Sequence, residues 1–93
     1  MWQTLGDEPL RVWSWEGDYV VYSPYSGQTH RLDIVAGHLI EILIDGPKES
    51  SELFQQLSDF LEEQDSENFR SSILDVLQSL DELGLIRDIP NAS

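Results

Sequence analysis

The sequence predicts a small α+β domain in which a three-stranded antiparallel sheet is followed by three helices, in the order β-β-β-α-α-α. Two segments carry most of that prediction. The first is Tyr19-Val20-Val21-Tyr22-Ser23-Pro24-Tyr25-Ser26-Gly27-Gln28-Thr29-His30-Arg31-Leu32-Asp33. It reads as strand, turn and strand, and it ends on an aspartate suited to cap a helix. The second is Ile73 to Leu83 followed by Gly84-Leu85-Ile86, a helix stopped by glycine and tied down by two apolar residues. A third observation is the absence of repeats, linkers and low-complexity runs over 93 residues, which predicts one domain spanning 1–93.

Residues 1–9 read as an irregular lead-in closed by Pro9. From Leu10 to Trp15 apolar bulk alternates onto both sides, which predicts a strand covered on two faces. Glu16-Gly17 fits a two-residue hairpin turn, and Asp18 to Ser23 forms the second strand. Pro24 to Gly27 makes the next turn, with proline fixing φ early and glycine relieving it late. Gln28 to Leu32 is the third strand.

Asp33 caps a first helix, Ile34 to Asp45, which Gly46-Pro47 stops. At 100° per residue, Gly37, His38, Glu41 and Asp45 share one arc and apolar residues fill most of the rest. Such a helix is buried on several sides or contacts a second subunit. Ser50 or Ser51 can cap the second helix, whose stripe is Leu53, Phe54, Leu57, Phe60 and Leu61. Glu62 to Ser66 is an acidic break. The third helix runs from about Glu67 to Leu83 on a core stripe of Phe69, Ile73, Val76, Leu80 and Leu83, with Gly84 at the C′ position. Ile86 to Ile89 can add a short extended piece, and residues 90–93 read as a tail.

The formal net charge is −13, from 18 acidic and 5 basic residues. It is concentrated after residue 33. A field of that sign repels phosphate backbones and anionic membrane surfaces, so neither nucleic acid nor membrane is an expected partner. Basic peptide segments match it better. There is no cysteine, which excludes disulfides and thiolate chemistry and agrees with a cytoplasmic protein. The longest apolar run is far short of a membrane span.

Little in the chain looks catalytic. His30 and His38 lie eight residues apart on different predicted elements, and no third ligand accompanies them. Ser26, Ser50 and Ser51 have no nucleophile-elbow context. Adjacent acids such as Glu62-Glu63 diverge by about 100° on a helix. No enzyme activity, metal or cofactor is therefore expected.

Two features point to binding instead. With strands joined by hairpins, the third strand is a sheet edge, with Thr29 and Arg31 on one face and Gln28, His30 and Leu32 on the other. An open edge accepts an extended peptide as an added strand; an ordinary edge protected by Arg31 is the alternative. On the third helix, Arg70, Leu74, Leu77 and Asp81 form a flank beside the core stripe. Leu74 either lines a groove next to the open strand or packs under the N-terminal segment or first helix. Trp13, Trp15, Tyr22 and Tyr25 supply an aromatic sheet face that covers the sheet's own core or contacts a partner.

The stretch Val20 to Asp33, with its Tyr-Ser-Pro-Tyr-Ser-Gly-Gln-Thr-His element, resembles the N-terminal half of PqqD-like proteins. Within them it is most similar to the branch known as the HPr-rel-A system PqqD family. The closing Val76 to Ile86 matches the habit of ending the third helix on Gly-Leu-Ile. The resemblance implies a winged-helix-like fold and a role as a peptide chaperone, or RiPP recognition element. Such a domain binds the leader of a precursor peptide and presents it to a modifying enzyme. It also implies that the peptide lies antiparallel to the third strand, along Gln28, Thr29, His30, Arg31 and Leu32, beside a helical wall including Arg70, Leu74 and Leu77. The alternative is a structural module in which the aromatic face and first helix form a homodimer.

Overall fold

The computed structural model describes residues 1–5 and 10–90. Its elements in chain order are β1 (Trp2–Thr4), β2 (Arg11–Trp15), β3 (Asp18–Ser23), β4 (Gln28–Leu32), α1 (Ile34–Ile44), α2 (Ser50–Leu61), α3 (Glu67–Glu82) and β5 (Ile86–Asp88). The expected three strands followed by three helices are therefore present as β2-β3-β4-α1-α2-α3. They are framed by two short strands, β1 and β5.

β2, β3 and β4 form an antiparallel meander. Trp15 pairs with Asp18, so Glu16 and Gly17 make a two-residue turn, and both have positive φ, 50° and 83°. That is the twist a tight hairpin requires. In the second turn Gly27 has φ 75°, and its N–H donates to the Ser23 carbonyl at 2.7 Å. The buried Ser23 hydroxyl accepts from the Ser26 N–H at 3.3 Å, so the buried polar side chain of this strand is used to hold the turn.

The register places Tyr19 opposite Leu32 and Val21 opposite His30, on the face that meets the helices. Tyr19, Val21 and Leu32 are buried there. α1 lies against this face and also touches β1, α2 and α3, as its broad apolar surface requires. Ala36, Leu39, Ile40, Ile42 and Leu43 pack against Leu53, Phe54 and Leu57 of α2 and Ile73, Leu77 and Leu80 of α3.

Gly37, expected on the polar arc of α1, is buried. The Tyr19 ring lies directly over it, and a Cβ there would overlap the ring. Burial pushes the Tyr19 phenol above its ordinary range, and Glu41 adds to that through a hydrogen bond and its charge.

β2 departs from expectation. Only one of its faces is covered: Trp13 and Trp15 are 51% and 56% exposed, and Arg11 is exposed with them. The alternation put bulk on both sides, but α1, the helix that meets this sheet, packs on its other face. The lead-in also differs from its expected irregular form. Trp2, Gln3 and Thr4 pair antiparallel with Asp88, Arg87 and Ile86. Trp2 further exchanges two backbone hydrogen bonds with Lys48, at 2.8 and 3.0 Å. Residues 6–9 and the tail from 91 lie outside the described residues.

The caps follow from local chemistry. Asp33 accepts from the Ala36 N–H at 2.9 Å at the start of α1. Ser66 does the same for α3, from Phe69 at 3.1 Å. α2 begins after Glu49 with no side-chain cap, and neither Ser50 nor Ser51 fills that place. The Ser50 hydroxyl instead accepts from the Trp2 indole at 3.1 Å. At the end of α3, Gly84 (φ 77°) bonds to the Asp81 carbonyl at 2.9 Å and Leu85 to the Leu80 carbonyl at 3.1 Å. Those two bonds define a Schellman ending, and Leu85 and Ile86 are fully buried by it.

Candidate functional site

β4 bonds to β3 along one edge, and among the described residues no strand pairs with its other edge. Its backbone donors and acceptors on that side are available. Gln28, Thr29 and Arg31 are exposed, His30 is half-buried and Leu32 is buried. The Arg31 guanidinium reaches across the outer sheet face to Asp18, with Nη2 to Oδ2 at 3.0 Å.

A cleft lies between the end of β4 and α3. Near the C-terminal part of α3 it forms a basin of about 250 Å³ lined by Arg31, Leu32, Asp33, Ala36, Val76, Ser79, Leu80 and Leu83. Towards the start of α3 a second basin of about 430 Å³ is lined by Asp33, Val35, Leu61, Phe69, Ser72, Ile73 and Val76, among others. Asp33 and Val76 belong to both, so the two basins are one groove. From Phe69 to Leu83 it follows α3 for roughly 21 Å at 1.5 Å per residue. An extended peptide of about six residues covers that length.

The helical wall of this groove is Phe69, Ser72, Val76, Ser79 and Leu83, which recur at three- and four-residue spacing along one side of α3. It is not the wall expected from the sequence. Leu77 is 0% exposed and belongs to the core. Arg70 and Leu74 lie beyond Leu77, on the flank of α3 opposite the groove. There Arg70 donates to both oxygens of Asp65, at 2.8 and 3.0 Å, and its guanidinium stands 5.3 Å from the centre of the Phe54 ring. Hydrogen bonding from Arg70 holds the Asp65 carboxyl below the usual carboxylate range. Leu74 is 44% exposed on the same side.

The physical reason is a difference in phase. The stripe expected to face the core was Phe69, Ile73, Val76, Leu80 and Leu83, whereas the buried set is Ile73, Leu77 and Leu80. The two directions differ by roughly 45° around the axis. The rotation takes Leu77 into the core and leaves Phe69, Val76 and Leu83 half-exposed along the groove. The small residues Ser72 and Ser79, set between those apolar ones, are the sequence signal of that open side.

His30 presents a separate feature. Its Nε2 is buried with no hydrogen-bond partner. An unpaired buried polar atom costs about 1–3 kcal/mol. His30→Phe, which puts a ring C–H in its place, is expected to raise the free energy of urea unfolding by about 1 kcal/mol. His38 is elsewhere, stacked on Phe60 with ring centroids 3.7 Å apart and 12° between planes. Among the described residues no three His, Asp or Glu side chains gather as metal ligands would. Among the described residues no helix is long and apolar enough to cross a membrane.

No family model matches the sequence, and no curated protein does. Solved structures do match the fold. One is TbiB1 in complex with the TbiA(beta) leader peptide, with a TM-score of 0.69, 15% identity, and 91% of this chain and 96% of that one covered. Another is a lasso peptide synthetase B1 complexed with the leader peptide, with a TM-score of 0.65, 20% identity, and 94% and 98% covered. At such identities it is the fold that is shared, over nearly the whole of each chain.

Proposed function

We propose that this chain is a non-catalytic peptide-binding adaptor of the PqqD-like, RiPP-recognition-element kind. It takes the leader segment of a ribosomally made precursor as an added strand on β4 and presents it to a modifying enzyme. The observation that carries the reading is the edge of β4, unpaired among the described residues, whose last residues Arg31 and Leu32 open into a groove along α3. The two solved structures with this fold are both complexes with leader peptides, which supports the same reading. The strand contacts fall to Gln28, Thr29, His30, Arg31 and Leu32. The helical contacts fall to Phe69, Val76, Ser79 and Leu83, in place of Arg70, Leu74 and Leu77. Backbone hydrogen bonds supply affinity and the groove's basins supply selection. A cytoplasmic site of action fits a client that comes from the ribosome.

The test is an NMR titration with a synthetic peptide covering the leader of a precursor encoded beside this gene. The amides of Thr29 to Leu32 and the methyls of Val76 and Leu83 are expected to shift. Ser79→Tyr, which fills the cleft, is expected to weaken binding at least about tenfold, or about 1.4 kcal/mol. Leu74→Ala, on the opposite flank, is expected to leave it unchanged. Shifts confined to α2 or to the outer sheet face would overturn the proposal.

A second reading, a homodimer module, draws on the exposure of Trp13 and Trp15. Sedimentation over a wide concentration range separates it, since a monomer throughout excludes dimerisation as the role.

A further inference from the structure

The groove has a charge as well as a shape. On α3, Asn68, Asp75 and Glu82 recur every seven residues just outside Ser72 and Ser79, and all three are exposed. Asp75 and Glu82 thus stand on the exposed face of α3, next to the wall formed by Ser72 and Ser79. Asp33 stands where its two basins meet, and Glu63 and Asn68 line its far end. One Asp33 oxygen accepts from the Ala36 N–H.

The cations are turned elsewhere. Arg31 lines the groove but its guanidinium is held by Asp18. Arg70 is on the opposite flank, bound to Asp65. Arg87 lies on β5, lining a depression with Gln3 and Tyr25 on another side of the molecule. Lys48 follows α1 beside Trp2, and Arg11 is on β2. Two carboxylates, Asp33 and Glu63, therefore line the groove, two more stand on the exposed face of α3 beside it, and among the described residues the one cation on it is already paired. The floor, by contrast, is apolar: Leu32, Ala36, Val76 and Leu80 at one end, and Val35, Phe69 and Ile73 at the other.

We propose that the segment taken into this groove is an extended basic peptide, with apolar side chains directed into the two basins and lysine or arginine at the flanking positions. The inference rests on the peptide-binding reading and adds the chemical class of the client. Along α3 the basins are centred about eight residues apart, or roughly 12 Å. That is close to four residues of extended chain, an even number, so both anchors point to the same side. Of the three side chains between them, the middle one faces the groove with the anchors, and the first and third point away from the basins towards the solvent that the surrounding carboxylates charge.

Three synthetic peptides test it. All carry a leucine and a phenylalanine four residues apart, and they differ only in having lysine, glutamine or glutamate at the other positions. Affinity by calorimetry at low salt is expected to fall in that order, by tenfold or more from lysine to glutamate. Added salt should compress the difference, because exposed charges are screened beyond about a Debye length. The double variant Asp75→Lys, Glu82→Lys leaves both basins intact and is expected to weaken the lysine peptide and strengthen the glutamate peptide. Its unfolding transition checks that the fold is kept. Equal affinities, or the reverse order, with amide shifts at β4 and α3 would overturn the basic-peptide inference and leave the groove as a peptide site. Failure of all three peptides to shift β4 or α3 would overturn the peptide-site reading and this inference together.

Discussion

Gly37→Ala is expected to destabilise the domain by about 2 kcal/mol or more, although helix propensity alone predicts the opposite sign. Alanine is favoured over glycine in a helix interior by about 1 kcal/mol. The Cβ it brings, however, would overlap Cγ and both Cδ atoms of the Tyr19 ring. Those atoms are the root of the ring, fixed by the strand that carries it, so the strand and helix must move apart. Overpacking of this kind costs about 1–3 kcal/mol and sometimes more. For a domain of this size, total stability is on the order of 5–15 kcal/mol. Urea unfolding with and without Tyr19→Ala checks the cause. In the Tyr19→Ala background the penalty should vanish or change sign, giving a coupling of about 2–3 kcal/mol. An unchanged penalty would place the strain somewhere other than the α1–β3 contact.

Leu77→Ala and Leu74→Ala, one turn apart on α3, are expected to behave in opposite ways. Leu77 is fully buried, and truncating such a leucine costs about 2–5 kcal/mol through lost transfer energy and the cavity left behind. That corresponds to a fall in melting temperature of roughly 10 °C or more. Leu74 is 44% exposed, and its truncation should stay within about 0.5–1 kcal/mol. Thermal melts of the two variants suffice. Similar losses in both would mean that α3 faces the core along the axis first expected from the sequence.

Those two leucines also mark where sequence reasoning was strong and where it failed. The hairpin turns were legible because they are local. Glu16-Gly17 and Pro24 to Gly27 impose backbone angles by their own chemistry, and the structure has them where expected. Asp33 and Gly84 are legible for the same reason, as each satisfies orphan backbone groups within four residues. The open edge of β4 follows from hairpin order.

The wall beside that edge was harder to place. α3 carries apolar residues over nearly half of its circumference, from Phe69 and Val76 through Ile73 and Leu80 to Leu77 and Leu74. A stripe that wide can be centred in several ways, and one centred on Phe69, Ile73, Val76, Leu80 and Leu83 lies about 45° from the buried set of Ile73, Leu77 and Leu80. β1 was missed for a different reason. Three residues are too few for a period-two signal, and the partner strand is more than eighty residues away.

Local chemistry in the chain therefore settled which segments form the three-stranded sheet and the three helices, where most of them start and stop, and that β4 is an edge strand of that sheet. Tertiary packing alone decided the rotation of α3 about its axis, the pairing of β1 with β5 and the side of the helix that forms the groove. The reason is range. Turns and caps are satisfied within a few residues, whereas the rotation of a broadly apolar helix is set by which of its side chains α1, α2 and β5 have room to bury.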